Sequence, residues 1–374
     1  MYRPSSFCCT MSQASIGVAV VGTGFGQKIH IPGLQTHHRT EVVAVYHRDR
    51  TQAEAIAKRH GIAHACDIIE AVVALPQVEA VSVATPPFTH YAMAAAVLKA
   101  GKHLLLEKPT ALNVQEAQQL HTLAQQQQVA AVMDFEFRFI PAWQRLAELL
   151  QENYVGQKRL IKIDWIAGSR ANPERAWNWY AQKERGGGAL GSIGSHMFDY
   201  VSWLFGPIKR LSANLSTTIT QRPDPSGQYR PVDSDDTCSI TLELVDGTPV
   251  QVTLSAVSLA GRGHWVEVYG EKGTLVLGNA NQKDYIHGFT LSGSQAGAPL
   301  QQLDIPERLA FPTVYDDGRL APFIRVVDHW VCSIEQQSGA QTPAPSLAEG
   351  VYSQRLMDLT HQAHSQQTWV VVPQ

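Results

Sequence analysis

The chain is poor in cysteine and contains no long hydrophobic run. Its 374 residues include five cysteines, an odd number without a CxxC pair. This usage disfavours a disulfide framework or a thiolate zinc site and favours a reducing, cytoplasmic setting. No apolar run approaches the ~20 residues that a membrane-spanning helix needs. The first 15 residues also lack the apolar stretch of a secretory signal, so we expect residues 1–15 to form a disordered extension, with Met1 or Met11 as the start.

A strong charge of one sign is absent as well. The formal net charge is −3, with both signs spread along the chain, so there is no basic stripe for nucleic acid or a membrane surface. Two histidine pairs have spacings that occur in metal sites, but no carboxylate or thiolate ligand lies near either pair, and we expect no metal. The pairs are His60 with His64 and His361 with His364. The composition therefore gives no support to a nucleic-acid or membrane partner.

Between residues 16 and 135, apolar runs alternate with helix-like segments. The runs cover residues 16–21, 41–46, 80–84, 103–107 and 130–135. They are nearly continuous in Val, Leu and Ala, which is typical of parallel strands buried on both faces. Three capping pairs mark helix starts between them. The pairs are Thr51 with Glu54, Asp67 with Glu70, and Asn113 with Glu116. This pattern predicts a βαβ series that forms a Rossmann dinucleotide-binding domain over residues 16–135.

After Phe135 the pattern changes to alternation of apolar and polar residues. Residues 238–244 and 250–254 alternate around a turn at Asp246-Gly247, and residues 265–269 and 274–277 form a second strand pair. Helical segments follow at about 322–337 and 347–364, with a last strand at 369–372. The sequence therefore predicts an α/β protein whose second domain, residues 136–374, is α+β with a large, mostly antiparallel open sheet. That sheet could join copies into a homodimer or homotetramer.

A glycine-rich turn ends the first predicted strand. Gly22, Thr23, Gly24, Phe25 and Gly26 stand where a backbone can approach a pyrophosphate at a helix N-terminus. The usual GxGxxG pattern is imperfect, because its third glycine lies one place early. The turn still predicts a dinucleotide site, since it follows the first strand of a βαβ series.

The end of the second strand bears on the choice of cofactor. The acidic residue that usually binds the adenosine ribose is replaced by His47, and Arg48 follows it. Loss of the carboxylate removes repulsion of a 2′-phosphate, and a guanidinium can bind that phosphate bidentately. We expect NADP in preference to NAD. Stacking of Arg48 on the adenine, which suits either cofactor, is the alternative.

Three later segments carry a family resemblance. Residues 101–109 end in Glu107-Lys108-Pro109, residues 83–87 are followed by His90, and residues 186–199 begin with three glycines. They resemble the EKP motif, the fourth-strand loop and the GGGxLxDxGxHxxD segment of the Gfo/Idh/MocA oxidoreductases. The match in order and spacing runs from about residue 16 to 372. Ser192 stands where the family has the first aspartate of the last motif.

The resemblance implies a Rossmann domain, a C-terminal α/β domain and an active site between them. The implied reaction is oxidation or reduction of a sugar-like or cyclitol hydroxyl or carbonyl with NAD(P). Lys108 matches the family's active-site lysine, and His196 matches its usual acid/base. The cofactor contacts implied by the resemblance come from Ala84, Thr85, Pro86, His90, Glu107 and Lys108.

The chemistry of these residues is consistent with hydride transfer. A histidine can take the hydroxyl proton near neutral pH, and an ammonium can polarise the reacting oxygen. A helix over residues 189–204 would place Ser192, His196 and Asp199 on one face, so we expect Asp199 to hold the imidazole tautomer. The alternative for His196 is a core histidine with Asp199 as a structural partner. Pro109 is a candidate for a cis peptide bond.

Further substrate contacts are expected from Ser192, Asp199, Arg138 and Trp179. Arg138 follows the last Rossmann strand and could reach the cleft or form a structural ion pair. Trp179 lies in an aromatic stretch that could face a sugar ring or belong to a core. Two other functions stay open: a cofactor-sensing regulator without turnover, which the serine in place of the family aspartate favours, and an NAD-dependent glycosidase.

Overall fold

The N-terminal third of the chain forms a parallel sheet of six strands. The computed structural model describes residues 14–336 and 344–373, so the extension expected at residues 1–15 lies almost wholly outside the described residues. The strand order is β3-β2-β1-β4-β5-β6, and every pairing is parallel. The strands are β1 (Ile16–Val21), β2 (Thr40–Tyr46), β3 (His64–Cys66), β4 (Ala80–Val83), β5 (His103–Leu106) and β6 (Ala131–Met133). The helices are α1 (Ile31–Thr36), α2 (Arg50–His60), α3 (Ile69–Val73), α4 (His90–Lys99) and α5 (Val114–Gln127).

Both faces of this sheet are buried, as the continuous apolar runs predicted. Every residue of β1 and β4 is buried. Val18 and Val20 pack on one face with residues of α1 and α2, while Ala19 and Val21 pack on the other with α4 and α5. Burying each such Val or Leu side chain contributes roughly 1.5–3 kcal/mol.

Only one of the three predicted capping pairs is found at a helix start. The side chain of Asn113 accepts the backbone N–H of Glu116 at 2.9 Å and caps α5. Helix α2 is capped instead by Asp49, whose carboxylate accepts the N–H groups of Thr51 and Gln52. Helix α3 begins after Ile68 without a side-chain cap, so the pairs that start at Thr51 and Asp67 were wrong.

The second sheet has nine strands in the order β16-β15-β14-β13-β7-β12-β11-β8-β17. Within the described residues, its only parallel pair is β7 with β12. The strands are β7 (Lys158–Ile166), β8 (Ile208–Ser216), β9 (Gln221–Pro223), β10 (Tyr229–Pro231), β11 (Thr237–Leu244), β12 (Pro249–Ser255), β13 (Gly263–Gly270), β14 (Gly273–Asn279), β15 (Thr290–Gln295), β16 (Gln301–Gln302) and β17 (Val370–Val371), of which β9 and β10 pair apart from the sheet. The helices are α6 (Pro141–Gln151), α7 (Ser195–Phe205), α8 (Leu320–Ile334) and α9 (Leu347–Gln366). The two sheets together confirm the predicted fold class.

The core of this domain lies on one face of the nine-stranded sheet. Alternate residues of β11, such as Ile240 and Leu242, are buried in the same core as Trp143 of α6 and Tyr200 of α7. Helix α8 packs elsewhere: Phe323 and Trp330 are fully buried in the core beside β1. The C-terminal part of the chain therefore covers one face of the parallel sheet. Among the described helices, none is long and apolar enough to cross a membrane.

Short helical turns complete the framework. Two of them have π geometry and directly precede α1 and α7. Such turns are rare and frequently lie at functional sites. The π turns are Gly26–His30 and Leu190–Gly194, and the 3-10 turns are Pro87–Thr89, Glu136–Phe139, Trp179–Ala181, Lys183–Arg185 and Glu307–Leu309.

Candidate active site

The glycine-rich turn after β1 allows two parts of the backbone to approach closely. Gly22 has φ +106°, and a Cβ there would lie 2.5 Å from the carbonyl oxygen of Ala84. Only glycine combines this conformation with this contact. Gly26 is buried, and a Cβ on it would lie 3.2 Å from Val20. Gly26 therefore packs the helix against the sheet although it lies one place early in the motif.

A groove of about 520 Å³ runs along the carboxyl ends of β1, β2 and β4. At Gly24, which lines it, a Cβ would have no neighbour within 4 Å. This open cradle at the start of a helix fits a dinucleotide. Predicted cofactor residues on the groove are Gly22, Thr23, Gly24, Phe25, His47, Arg48, Ala84, Thr85 and Pro86. The sequence reasoning missed Tyr46, Phe88, Thr89, Met93 and Arg185, which also line it.

Arg48 and His47 differ in how they are held at the end of β2. The ring Nδ1 of His47 accepts the backbone N–H of Asp49 at 3.0 Å. Arg48 is exposed, and no carboxylate among the described residues lies within 4.0 Å of its guanidinium. Its neighbour Arg50, by contrast, is paired with Glu54 and Asp67. Arg48 therefore keeps its guanidinium free for an anion.

His90 does not line the groove, so its expected direct contact with the cofactor is not supported. Its ring is fully buried, with Nδ1 2.7 Å from the carbonyl oxygen of Pro109 and Nε2 2.7 Å from that of Thr85. Through these contacts the ring links the loop after β4 to the segment after β5. His90 therefore positions Thr85, which does line the groove.

A second cavity, of about 490 Å³, adjoins the groove between the two domains. It brings together Lys108, Ser192, His196 and Trp179, as the sequence predicted. The groove and this cavity share four lining residues, which are Phe25, Ala84, Thr85 and Trp179. A cofactor in the groove and a substrate in the cavity would therefore be in contact.

Lys108 reaches the cavity from the carboxyl end of β5. Its Nζ donates to the carbonyl oxygen of Ser192 at 3.2 Å, and the Lys108–Pro109 peptide bond is cis, which confirms that prediction. The carboxylate of Glu107 accepts the N–H of Lys108 and is 3.1 Å from Nε2 of His30. Burial opposes ionisation of Glu107, but the bond to His30 and the charge of Lys108 lower its pKa to about 2. Glu107 thus stays a carboxylate beside Lys108.

His196 is buried beside the same cavity and stays neutral. Burial, followed by the charge of Lys108, lowers its pKa well below the usual value. Its Nδ1 is buried and has no hydrogen-bond partner among the described residues. A neutral imidazole can accept a proton from an alcohol.

The expected link between Asp199 and His196 is wrong. Asp199 is instead bound by Arg138, whose Nε and Nη2 donate to its carboxylate at 2.5–3.2 Å. Both side chains are buried, and neither lines the cavity. Their expected substrate contacts are therefore not supported, and the structure shows the ion pair that was the alternative for Arg138.

Ser192 lies in the π turn before α7, and its hydroxyl makes two hydrogen bonds within the protein. Its Oγ donates to the carbonyl oxygen of Gly188 at 2.8 Å and is 2.9 Å from the hydroxyl of Tyr180. With the serine proton directed to Gly188, the tyrosine donates to Ser192. The cavity wall is therefore neutral where the family motif has an aspartate.

Two buried carboxyl groups that line the cavity were not predicted from the sequence. Asp134 and Glu136 follow β6 and line the cavity. Burial and the nearby charge of Glu107 raise the pKa of Asp134 well above its ordinary value and that of Glu136 to about 7. Their place at the carboxyl end of a parallel strand was a usable signal. Other residues that were not predicted come from segments without a motif, and they include Arg170, Arg175, Tyr285 and Arg319.

His30, Glu107 and Asp134 form a buried cluster whose ligand-type atoms lie within 4.8 Å of one another. Both ring nitrogens of His30 have partners: Nδ1 is 2.6 Å from the Ser82 hydroxyl, and Nε2 bonds to Glu107. His30 therefore links Ser82 to Glu107 and supports Glu107 beneath the cavity, whereas the carboxyl oxygens of Asp134 have no hydrogen-bond partner among the described residues.

Comparison with known proteins agrees with this arrangement. The NAD-binding Rossmann-fold model of the GFO_IDH_MocA oxidoreductase family matches residues 16–135, and the family's C-terminal alpha/beta domain model matches residues 147–372. An uncharacterized oxidoreductase of Synechocystis sp. is 55% identical over 361 residues, which is 96% of each chain. Levoglucosan dehydrogenase of Pseudarthrobacter phenanthrenivorans is 26% identical over 86% of this chain and 87% of its own.

A solved structure shows the same fold. Levoglucosan dehydrogenase in complex with NADH and L-sorbose superposes with a TM-score of 0.86 at 22% identity, covering 96% of this chain and 99% of the other. The family models cover both domains, and the groove and cavity lie where the two domains meet. The chain therefore belongs to the Gfo/Idh/MocA family of NAD-binding oxidoreductases.

Proposed function

We propose that the protein transfers a hydride between NAD(P) and the hydroxyl or carbonyl carbon of a sugar-like or polyol substrate. The observation that carries this proposal is the shared wall of the groove and the cavity, with Lys108 and His196 both on the cavity side. The name of the relative levoglucosan dehydrogenase, a sugar-acting enzyme, supports the substrate class. When bound, NAD(P) supplies the carbon that accepts or donates the hydride.

The residues of the cavity would handle the proton. The Lys108 ammonium polarises the reacting oxygen, and the neutral His196 accepts the hydroxyl proton as the alcohol is oxidised. In the reverse direction, the same histidine returns that proton to the oxygen. Ser192 and Tyr180 would position the substrate through their hydroxyl groups.

NADP is the cofactor that we expect to bind more tightly. The support is Arg48, which has no carboxylate partner among the described residues and lies on the groove. Fluorescence titration should give a lower Kd for NADPH than for NADH, and Arg48→Met should weaken NADPH roughly 10-fold while sparing NADH. Tighter binding of NADH by the unmodified protein would contradict this preference.

Nicotinamide absorbance at 340 nm tests the function directly. The assay uses a panel of sugars and cyclitols with both cofactors. A net change in absorbance is the expected result. Tight cofactor binding without any change would favour the cofactor-sensing regulator, and sugar release without net change would favour the glycosidase.

We further infer a cytoplasmic homodimer or homotetramer joined through the nine-stranded sheet. The support is a shallow hollow on the face of the sheet away from the core, lined mainly by polar residues and by the half-exposed Trp369. Light scattering coupled to gel filtration should give a mass of two or four chains. A monomer that persists at high concentration would contradict the inference.

A further inference from the structure

One side of the active-site cavity is formed by the segment that follows β7. Ala167, Ser169, Arg170 and Arg175 from this segment all line the cavity. Arg170 is partly buried, whereas Arg175 is exposed, so the segment extends from the interior of the cavity to solvent.

Hydrogen bonds hold this segment in place. The backbone N–H of Arg170 donates to the carbonyl oxygen of Ala256 at 2.8 Å. Arg222 is buried and donates to the carbonyl oxygens of Arg170 and Asn172, each at 2.7 Å. Arg175 donates to the carbonyl oxygen of Ser169 at 2.8 Å. Arg170 and Arg175 are therefore held in position before any ligand arrives, which lowers the entropic cost of binding.

The positive charge of this segment is not neutralised within the described part of the chain. No carboxylate there lies within 4.0 Å of the guanidinium of Arg170, Arg175 or Arg222, although other arginines, such as Arg262, form such pairs. The Cζ of Arg170 lies 3.1 Å from the centre of the Tyr180 ring, a cation–π contact. Burial, and the nearby charges of Arg175 and Arg222, lower the pKa of Arg170 to about 10, so it remains charged at neutral pH.

The acidic groups on the cavity do not cancel this charge. Glu107 is already bonded to His30 and to the backbone of Lys108. Burial and the nearby charge of Glu107 raise the pKa of Asp134 well above its ordinary value and the pKa of Glu136 to about 7, which opposes ionisation of both groups. The cavity therefore combines partly neutral carboxyl groups with guanidinium groups that lack a counter-ion.

We propose that the substrate carries an anionic group, a carboxylate or a phosphate, that Arg170 and Arg175 bind. Guanidinium groups bind the oxygens of either anion through paired, charge-assisted hydrogen bonds. The proposal rests on the proposed function, because it specifies the substrate of that site as an anionic sugar: a sugar acid or a sugar phosphate. Its hydroxyl-bearing end would then lie toward Lys108 and His196.

Binding measurements on the NADPH-loaded protein test this proposal. Calorimetric titration with glucose, glucuronate and glucose 6-phosphate compares one neutral and two anionic sugars, and inorganic phosphate serves as the sugar-free probe. At least one anionic sugar should bind about 10- to 100-fold more tightly than glucose, the usual effect of charge-assisted hydrogen bonds. Tighter binding of glucuronate would identify a carboxylate, and tighter binding of glucose 6-phosphate a phosphate.

Variants test whether the arginines cause the tighter binding of anionic sugars. Arg170→Met should remove the preference for the anionic sugar, measured as the ratio of the Kd of glucose to the Kd of the anionic sugar. Arg175→Met, at an exposed position with little effect on folding, should reduce the preference in the same direction. Arg59→Met, at an exposed arginine outside the cavity, should retain it.

Two results would overturn the proposal. One is equal affinity for glucose and both anionic sugars, with no binding of inorganic phosphate. The other is a preference that survives both Arg170→Met and Arg175→Met. Failure of the proposed function is distinguishable, since it would give no absorbance change with any sugar while arginine-dependent anion binding persisted.

Discussion

Lys108 lines the substrate cavity but not the groove expected to hold the cofactor. We therefore predict that Lys108→Met lowers kcat at least ~100-fold, because the polarising charge is lost, while the Kd of NADPH stays unchanged. Steady-state kinetics and fluorescence titration measure the two effects. Lys99→Met, an exposed lysine at the end of α4, is the control. Unchanged turnover in Lys108→Met would refute the assignment.

The buried pair of Arg138 and Asp199 is predicted to be structural. Asp199→Leu should reduce the free energy of unfolding by about 3–5 kcal/mol, because it removes the direct hydrogen-bond partner of a buried guanidinium and leaves it only the carboxylate of Glu349, 3.9 Å away. The double variant Arg138→Met/Asp199→Leu should recover most of that loss. Urea unfolding gives these values. If Asp199→Leu had normal stability but no turnover, the structural role would be contradicted and a role of Asp199 in catalysis would be indicated.

At the scale of single residues, the sequence motifs predicted which residues line the cavity better than they predicted which side chains bond to each other. Lys108, Ser192, His196 and Trp179 were placed on the cavity correctly. Helical spacing also placed Asp199 near His196, but it could not show that Arg138, 61 positions earlier in the chain, takes its carboxylate. Such long-range pairs depend on tertiary packing and leave no local pattern in the sequence.

At the scale of elements, long apolar runs were predictable and short or irregular ones were not. The β1 strand was predicted to the residue, whereas the three-residue β3 at the sheet edge was missed. Its sequence, His64-Ala65-Cys66, is too short to show a period. The π turns before α1 and α7 shift the helical register by one residue, which an ideal 3.6-residue period cannot anticipate.

The contact between α1 and α8 depends on a glycine. A Cβ at Gly33 would lie 2.5 Å from Cδ1 of Phe323. Gly33→Ala should therefore destabilise the protein by about 1–3 kcal/mol through overpacking. The double variant Gly33→Ala/Phe323→Leu should make room for the methyl group and recover part of the loss. Gly24→Ala, where a Cβ meets no neighbour, is the control in thermal unfolding without cofactor; equal effects of the two alanines would contradict the packing argument.

At the scale of the whole molecule, the sequence predicted two sheets. It did not predict which C-terminal helix packs on which sheet. The strand order of the nine-stranded sheet, with β7 parallel to β12, follows from long-range pairings. The burial of Phe323 and Trp330 beside β1 could not be foreseen either, because an amphipathic helix does not reveal which surface it covers.

Stability of the whole molecule should depend on pH through buried histidines. Burial lowers the pKa of His264 to about 3, whereas an unfolded histidine has a pKa of about 6.5. The unfolded chain therefore binds more protons below pH 6.5, and the stability that is fully present above this value is lost as the pH falls. Relative to a His264→Gln variant, the wild type should lose about 1.4 kcal/mol per pH unit between pH 6.5 and 4.5.

Urea unfolding at several pH values measures this difference. His38→Gln, at an exposed histidine, should run parallel to the wild type. A constant difference between wild type and His264→Gln over the same range would show that His264 does not contribute to acid sensitivity.

The wall shared by the groove and the cavity, at Phe25, Ala84, Thr85 and Trp179, has a kinetic consequence. A molecule in the groove becomes part of the surface against which a substrate rests, so the substrate pocket is complete only when the groove is filled. Turnover should follow a compulsory order, with the nucleotide first to enter and last to leave. Product inhibition should then be competitive between the two nucleotide forms and noncompetitive between the leaving sugar and the nucleotide.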